Sequence, residues 1–270
     1  MWMSKIKKYL QELDRTPVLN AVFMISMICI VLVYAFAVIN GVKEIVGYDN
    51  IDKVISVISS LATALTLVFL VYQHKVNDSK NYQITMVNEA KLVIDKMIEQ
   101  INVLHAWNNG DISKLTVFLN RLSNHAMDLE TLFNNVDDVA LKKILLIRWQ
   151  DMYFNHYENA VSSIDAIEMI KNNLDMSNPI CVRDINRIEM NTSVKLRSDA
   201  KSYDYYKSFI DGVEEEGYFD FSKEIGFQIG FYFYFFDKKN IEKYLDGIVN
   251  VIDPKHKYPS LYAIVEASTR

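Results

Sequence analysis

The sequence predicts an all-α protein in which an N-terminal two-helix transmembrane hairpin precedes a cytoplasmic helical domain. Three observations predict it. Residues 18–39 and 54–72 are two apolar stretches of about 20 residues each without a charged side chain, and a helix needs about that many to cross a hydrocarbon core. In lipid only a helix or a closed barrel satisfies the backbone, and two segments are too few for a barrel. Beyond residue 73 the apolar residues recur at spacings of three and four, the period of helices packing on helices. A buried soluble helix is equally apolar, but two charge-free runs of this length in succession are uncommon in globular folds. A cleaved signal peptide fits less well than a hairpin, because the first run exceeds an h-region and Glu12 and Asp14 stand before it.

The chain therefore divides into an amphipathic leader at 1–17, a hairpin at 18–72 and a helical domain at 73–270. In the leader, Trp2, Ile6, Tyr9, Leu10 and Leu13 mark one face of a short helix lying on the membrane surface, with a frayed terminus as the alternative. Lys5, Lys7, Lys8 and Arg15 precede the first span and Lys75, Lys80 and Lys91 follow the second. The connector at 40–53 holds only Lys43 and Lys53. Basic residues favour the cytoplasmic side, so both ends are expected there. In the second span Ser56, Ser60, Thr63 and Thr66 share one helical face, as in helix–helix contacts within lipid. That face serves either packing against the first span, or a homo-oligomer contact or pore lining. No ionisable side chain lies inside either span, which argues against a proton relay or ion carrier.

From the second span a helix is expected to continue to about Gly110, with Val87, Ala90, Ile94, Met97, Ile101 and Leu104 as its core seam. Asp111 or Ser113 caps a second helix, whose inner face is Leu115, Phe118, Leu122, His125, Leu129 and Leu132. Asp137 or Asp138 starts a third, running to about Asn173, with Leu141, Leu145, Trp149, Met152, His156, Ile167 and Ile170 available for burial. Ser177-Asn178-Pro179 is the next break. Residues 211–217, with three glutamates and two glycines, read as a solvated loop or fraying helix end. The segment 218–236 is dense in aromatics and is read as a buried helix; its Phe227, Phe231, Tyr232, Tyr234 and Phe235 are also candidates for contact with a partner or the membrane surface. A final helix at 240–251 ends at Asp253-Pro254, and the short tail has room for a further turn of helix.

The chemistry-bearing motifs are missing. There is no glycine-rich phosphate loop, HExxH, GxSxG or paired-cysteine signature, so no enzyme activity, metal or cofactor is expected. Two cysteines, Cys29 in the first span and Cys181, make neither a disulfide framework nor a thiolate zinc site. Arg121 with His125 and Arg148 with His156 each place an arginine and a histidine on one helical face, as a ribonuclease needs for proton transfer and phosphate stabilisation. Their spacing departs from that of the helical HEPN ribonucleases, and interior histidines explain both. The acidic runs Asp137-Asp138 and Glu214-Glu215-Glu216 read as caps and solvated surface. A net charge of -5 gives no strongly basic surface, and Arg183, Arg187, Lys195, Arg197 and Lys201 form only a modest cluster, leaving direct nucleic-acid contact open.

A short leader, a two-span hairpin, a helix continuing through Tyr72-Gln73-His74-Lys75 and a helical domain without catalytic motifs together resemble bacterial abortive-infection membrane proteins. More narrowly, the chain looks like the two-transmembrane effectors encoded beside a reverse transcriptase in some retron anti-phage systems. The resemblance spans the whole layout and rests on architecture rather than on a diagnostic motif. It implies a toxin in the bacterial inner membrane, held silent by a complex of reverse transcriptase with its DNA–RNA product and released to damage the membrane when a phage disturbs the cell. The partners so implied are the lipid bilayer, that reverse transcriptase–nucleic acid complex and further copies of the chain. A non-toxic membrane scaffold and a membrane-tethered ribonuclease are the alternatives.

Overall fold

The computed structural model describes residues 41, 51–105, 110–196, 202–226, 229–247 and 253–270. The leader, the first apolar stretch, most of the connector, Phe227, Arg197 and Lys201 lie outside these residues, as do the side chains of 51–55, 57, His105, Ile229 and Phe231. Every described element is helical, so the all-α class holds among the described residues. The chain falls into two units, residues 1–78 and 79–270.

Helix α1, Ile51–His105, is continuous, as the absence of Pro and Gly dictates. In the first unit it exposes large apolar side chains on every side, among them Leu61, Leu65, Leu67, Val68, Leu70 and Val71. Among the described residues no helix is long and apolar enough to cross a membrane. The stretch of α1 with continuously described apolar side chains runs from Ile58 to Tyr72, about 22 Å against the roughly 30 Å of a hydrocarbon core.

In the second unit α1 turns amphipathic. Val87, Ala90, Ile94, Met97, Ile101 and Leu104 are all buried, the six seam positions expected from spacing. Helix α2, Ile112–Asn135, starts at Asp111, whose carboxylate accepts from the Ser113 amide at 2.9 Å, and buries Leu115, Phe118, Leu122, Leu129 and Phe133. Helix α3, Val139–Asp151, is capped by Asp138, which accepts from the Ala140 and Leu141 amides. Cross-links fix the directions: Gln83 joins the backbone of Asn135 and Asp137, Arg148 reaches Asp95 at 2.7 Å, and His156 Nδ1 lies 3.4 Å from Asn102 Oδ1. Partners therefore advance together along α1 and α3, which run parallel, with α2 returning between them.

The third helix differs from the single long one expected. A π-helical turn, Met152–Tyr157, follows α3 directly, then α4, Glu158–Ser162, and only after a break does α5, Ala166–Asn173, begin at its cap Asp165. The wider turn admits one extra residue, so Met152 and its neighbour Tyr153 are both buried. Helix α6, Pro179–Lys195, begins with Asn178 as cap and proline in its first turn.

Helix α7, Tyr203–Glu215, shows that of the two readings of 211–217 the helix end holds and the loop does not. Its end is a Schellman motif: the Gly217 and Tyr218 amides donate to the Glu214 and Val213 carbonyls at 2.9 and 3.2 Å, and Gly217 takes a φ of 73°. The close approach of α7 to α6 requires Gly212, where a Cβ would lie 2.8 Å from Ile188 Cγ2. The aromatic segment forms α8, Phe221–Glu224, and α9, Ile229–Phe236. Helix α10, Lys238–Leu245, ends at left-handed Asp246 and Gly247. The tail holds α11, Pro254–Lys257, and α12, Pro259–Ser268, far more than the single turn expected. Helix α12 packs mainly on α7 and buries Ser260, Leu261, Ala263, Ile264, Val265 and Ala267.

Candidate functional site

The hydroxyl face of α1 is present as a row of exposed side chains. Ser60 donates to the Ser56 carbonyl at 2.9 Å, Thr63 to that of Ser59 at 2.9 Å and Thr66 to that of Ala62 at 2.8 Å. Each hydroxyl thus closes on the carbonyl four residues back, the arrangement by which Ser and Thr are tolerated where no water is available. Ser56 lies on the same face and is exposed. Along this row the helix surface is small and carries no ionisable group.

The aromatic candidates separate. Tyr232 and Phe235 lie in the core at 0% and 2% exposure, which removes them as contact residues in this fold. Tyr234 is half-buried and joins a polar cluster that spacing could not have revealed. Its hydroxyl donates to Glu130 at 2.7 Å and lies 3.3 Å from the Tyr244 hydroxyl, while Lys243 Nζ donates to the other Glu130 oxygen at 2.6 Å. The hydrogen bonds from Lys243 and Tyr234 hold the Glu130 carboxyl below its usual pKa, and burial pushes the Tyr234 and Tyr244 hydroxyls well up. Beside this cluster an open groove of about 720 Å³ runs between α2, α9 and α10, with Met127, Thr131, Phe233 and Asp237 on its walls. Glu130 is fully engaged by Lys243 and Tyr234, so the cluster clamps α2 to α9 and α10 and offers no free base to the groove.

The arginine–histidine pairs do not form a proton-transfer site. Arg148 is held by Asp95 and Asp151 at 2.7 and 3.0 Å, which raises its pKa through the Asp95 hydrogen bond and occupies the fork that a phosphate would need. Arg121 is exposed and His125 half-buried, and no hydrogen bond joins them. The basic cluster on α6 is largely neutralised: Arg187 pairs with Glu216 at 2.5 Å, and Arg183 with Asp184 at 3.2 Å. The Tyr218 hydroxyl donates to Asp184 at 2.8 Å and keeps that carboxyl below its usual pKa. Lys195 is exposed. Cys181 is buried, which pushes its thiol pKa up and leaves it a packing residue. Among the described residues no group of His, Cys, Asp and Glu side chains could hold a metal ion. Glu214 and Asp138, from the two acidic runs, sit at the end of α7 and the start of α3.

No protein-family model, curated protein or solved structure matches this chain.

Proposed function

We propose that this chain is a non-enzymatic, membrane-anchored effector of bacterial anti-phage defence, which depolarises the inner membrane when released from a partner complex of reverse transcriptase with its DNA–RNA product. One observation carries the membrane part: between Ile58 and Tyr72 α1 carries no charged side chain and exposes large apolar side chains around its circumference, interrupted by short hydroxyls, those of Ser60, Thr63 and Thr66 closed on their own helix. A helix hydrophobic all round needs an apolar surrounding, and lipid supplies one along its whole length. Extended back through 54–57, and paired with the stretch at 18–39, it makes a hairpin with both ends in the cytoplasm. The effector and its restraint rest on the resemblance of the layout to retron-associated two-span proteins. On this reading the second unit receives the partner and the row Ser56, Ser60, Thr63 and Thr66 lets copies of the helix approach closely when the restraint is lifted.

A membrane-potential dye in bacteria expressing this chain, with and without its genomic neighbours, tests the proposal. Rapid depolarisation only without the neighbours is expected; normal potential in both conditions contradicts an effector. The second reading, a non-toxic scaffold, is favoured by the closure of the hydroxyls on their own helix, which leaves them needing no partner. Ser60→Leu with Thr63→Leu separates the two. An assembling effector loses depolarisation with the amount of membrane-bound protein unchanged, whereas a scaffold still recruits its partner.

A further inference from the structure

Four tyrosines meet inside the second unit: Tyr153 and Tyr157 on the π-helical turn, Tyr232 on α9 and Tyr258 at the junction of α11 and α12. All four are at 0% exposure, and none of their hydroxyls has a hydrogen-bond partner among the described residues. The four rings belong to one aromatic cluster: Tyr153 and Tyr157 stand 5.4 Å apart between centroids, Tyr157 and Tyr258 6.4 Å, and Phe236 joins Tyr232 at 4.4 Å to Tyr258 at 4.9 Å.

Leaving four hydroxyls dry and unpaired costs an amount comparable with the whole stability of a domain, so native interiors do not keep such sets. The aromatic packing limits what can pair with them. Ring centroids stand 5.0 Å apart for Tyr157 and Phe235, 4.9 Å for Phe236 and Tyr258 and 6.4 Å for Tyr157 and Tyr258, which is ring-on-ring contact with no room for an organic solute. Only water is small enough to sit between the oxygens and can both donate and accept. Folded proteins hold about one buried water per 27 residues, each making about three hydrogen bonds, so such a site is well within what an interior of this size accommodates.

We propose that Tyr153, Tyr157, Tyr232 and Tyr258 bind a small cluster of internal water, a polar island in the aromatic core built by the π-helical turn. That turn brings both Tyr153 and Tyr157 inward, and the ion pair of Glu158 with Lys257, 2.9 Å apart, ties together the residues next in sequence to Tyr157 and Tyr258. Water held there exchanges only when α9 or α12 opens.

Oxygen-17 relaxation dispersion on the purified full chain in detergent, with thermal unfolding followed in parallel, tests this. The wild-type chain should show long-lived internal water, and Tyr153→Phe with Tyr232→Phe should lose part of that signal while keeping its helical circular dichroism. Each single Tyr→Phe change at the four positions should lower the Tm by about 2–4 °C. Unchanged dispersion in the double variant, or a Tm that stays or rises when the hydroxyls are removed, overturns the proposal. A solute other than water retained on the protein in native mass spectrometry, and lost with the same variants, overturns it as well.

Discussion

The two stretches of α1 that fall in the two units distribute their apolar side chains differently around one helix. Between Ile58 and Tyr72 the apolar side chains point in every direction, and Leu67 and Val68 are 62% and 65% exposed. Between Val87 and Leu104 six apolar residues form one buried seam, while Asp95, Lys96 and Glu99, with Leu92 and Val103 among them, are exposed on the rest of the surface. One backbone conformation serves both, so the difference lies wholly in how side chains are distributed around it. A one-sided stripe buries itself against other helices, whereas an apolar surface without a polar side asks for a medium.

The sharpest way to break that comparison is to remove the same amount of apolar side chain from each stretch. Ile94→Ala should cost the second unit about 2–5 kcal/mol in chemical denaturation, because a cavity is left at a position with no exposed surface. Leu65→Ala should change that transition by less than about 0.5 kcal/mol. A smaller effect is expected from Gly212→Ala, about 1–3 kcal/mol, since the new methyl meets the β-branched Ile188 at 2.8 Å and that side chain cannot swing away. Adding Ile188→Ala should recover part of the Gly212→Ala strain, seen as a non-additive double-mutant cycle.

The mildest expectation concerns acid. The folded-state pKa of Glu130 is depressed below the ordinary glutamate value of 4.5, so its contribution to stability is complete above that pH and is lost as pH falls below it through the folded value. Glu130→Gln should cost about 1 kcal/mol at pH 7, consistent with a partly exposed charged hydrogen-bonded pair, and should flatten the pH dependence of unfolding below about 4.5. Equal pH dependence in wild type and variant would remove Glu130 as the responsible group.

Spacing and capping residues made the first helices of the second unit legible. The six seam positions from Val87 to Leu104 are all buried, and Asp111, Asp138 and Asn178 all cap where their residue types suggest. The rest failed for identifiable reasons. Helix α12 was hidden because Pro259 reads as a breaker when it is in fact a first-turn residue, and because half of its buried face is the small residues Ser260, Ala263 and Ala267. The end of α7 stays open between loop and helix end because Glu215 and Glu216 face solvent, and Gly217 decides it by closing the helix. The π-helical turn slips the register by one residue, so Tyr153 and Tyr157 escaped a period of 3.6 and His156, expected inside, is only half-buried. The clamp of Tyr234 and Lys243 on Glu130 joins residues more than 100 positions apart and exists only once the helices have packed.

The central claim is that the first stretch of α1 lives in lipid and the second in water. Spin labels at Leu65→Cys and Val103→Cys, in chains reconstituted in lipid vesicles with Cys29 and Cys181 replaced, compare two exposed apolar positions of the same helix by their collisions with oxygen and with a water-soluble nickel chelate. The account predicts that the label at 65 meets oxygen and not nickel and that the label at 103 meets nickel freely. Equal access of nickel to both positions would contradict it.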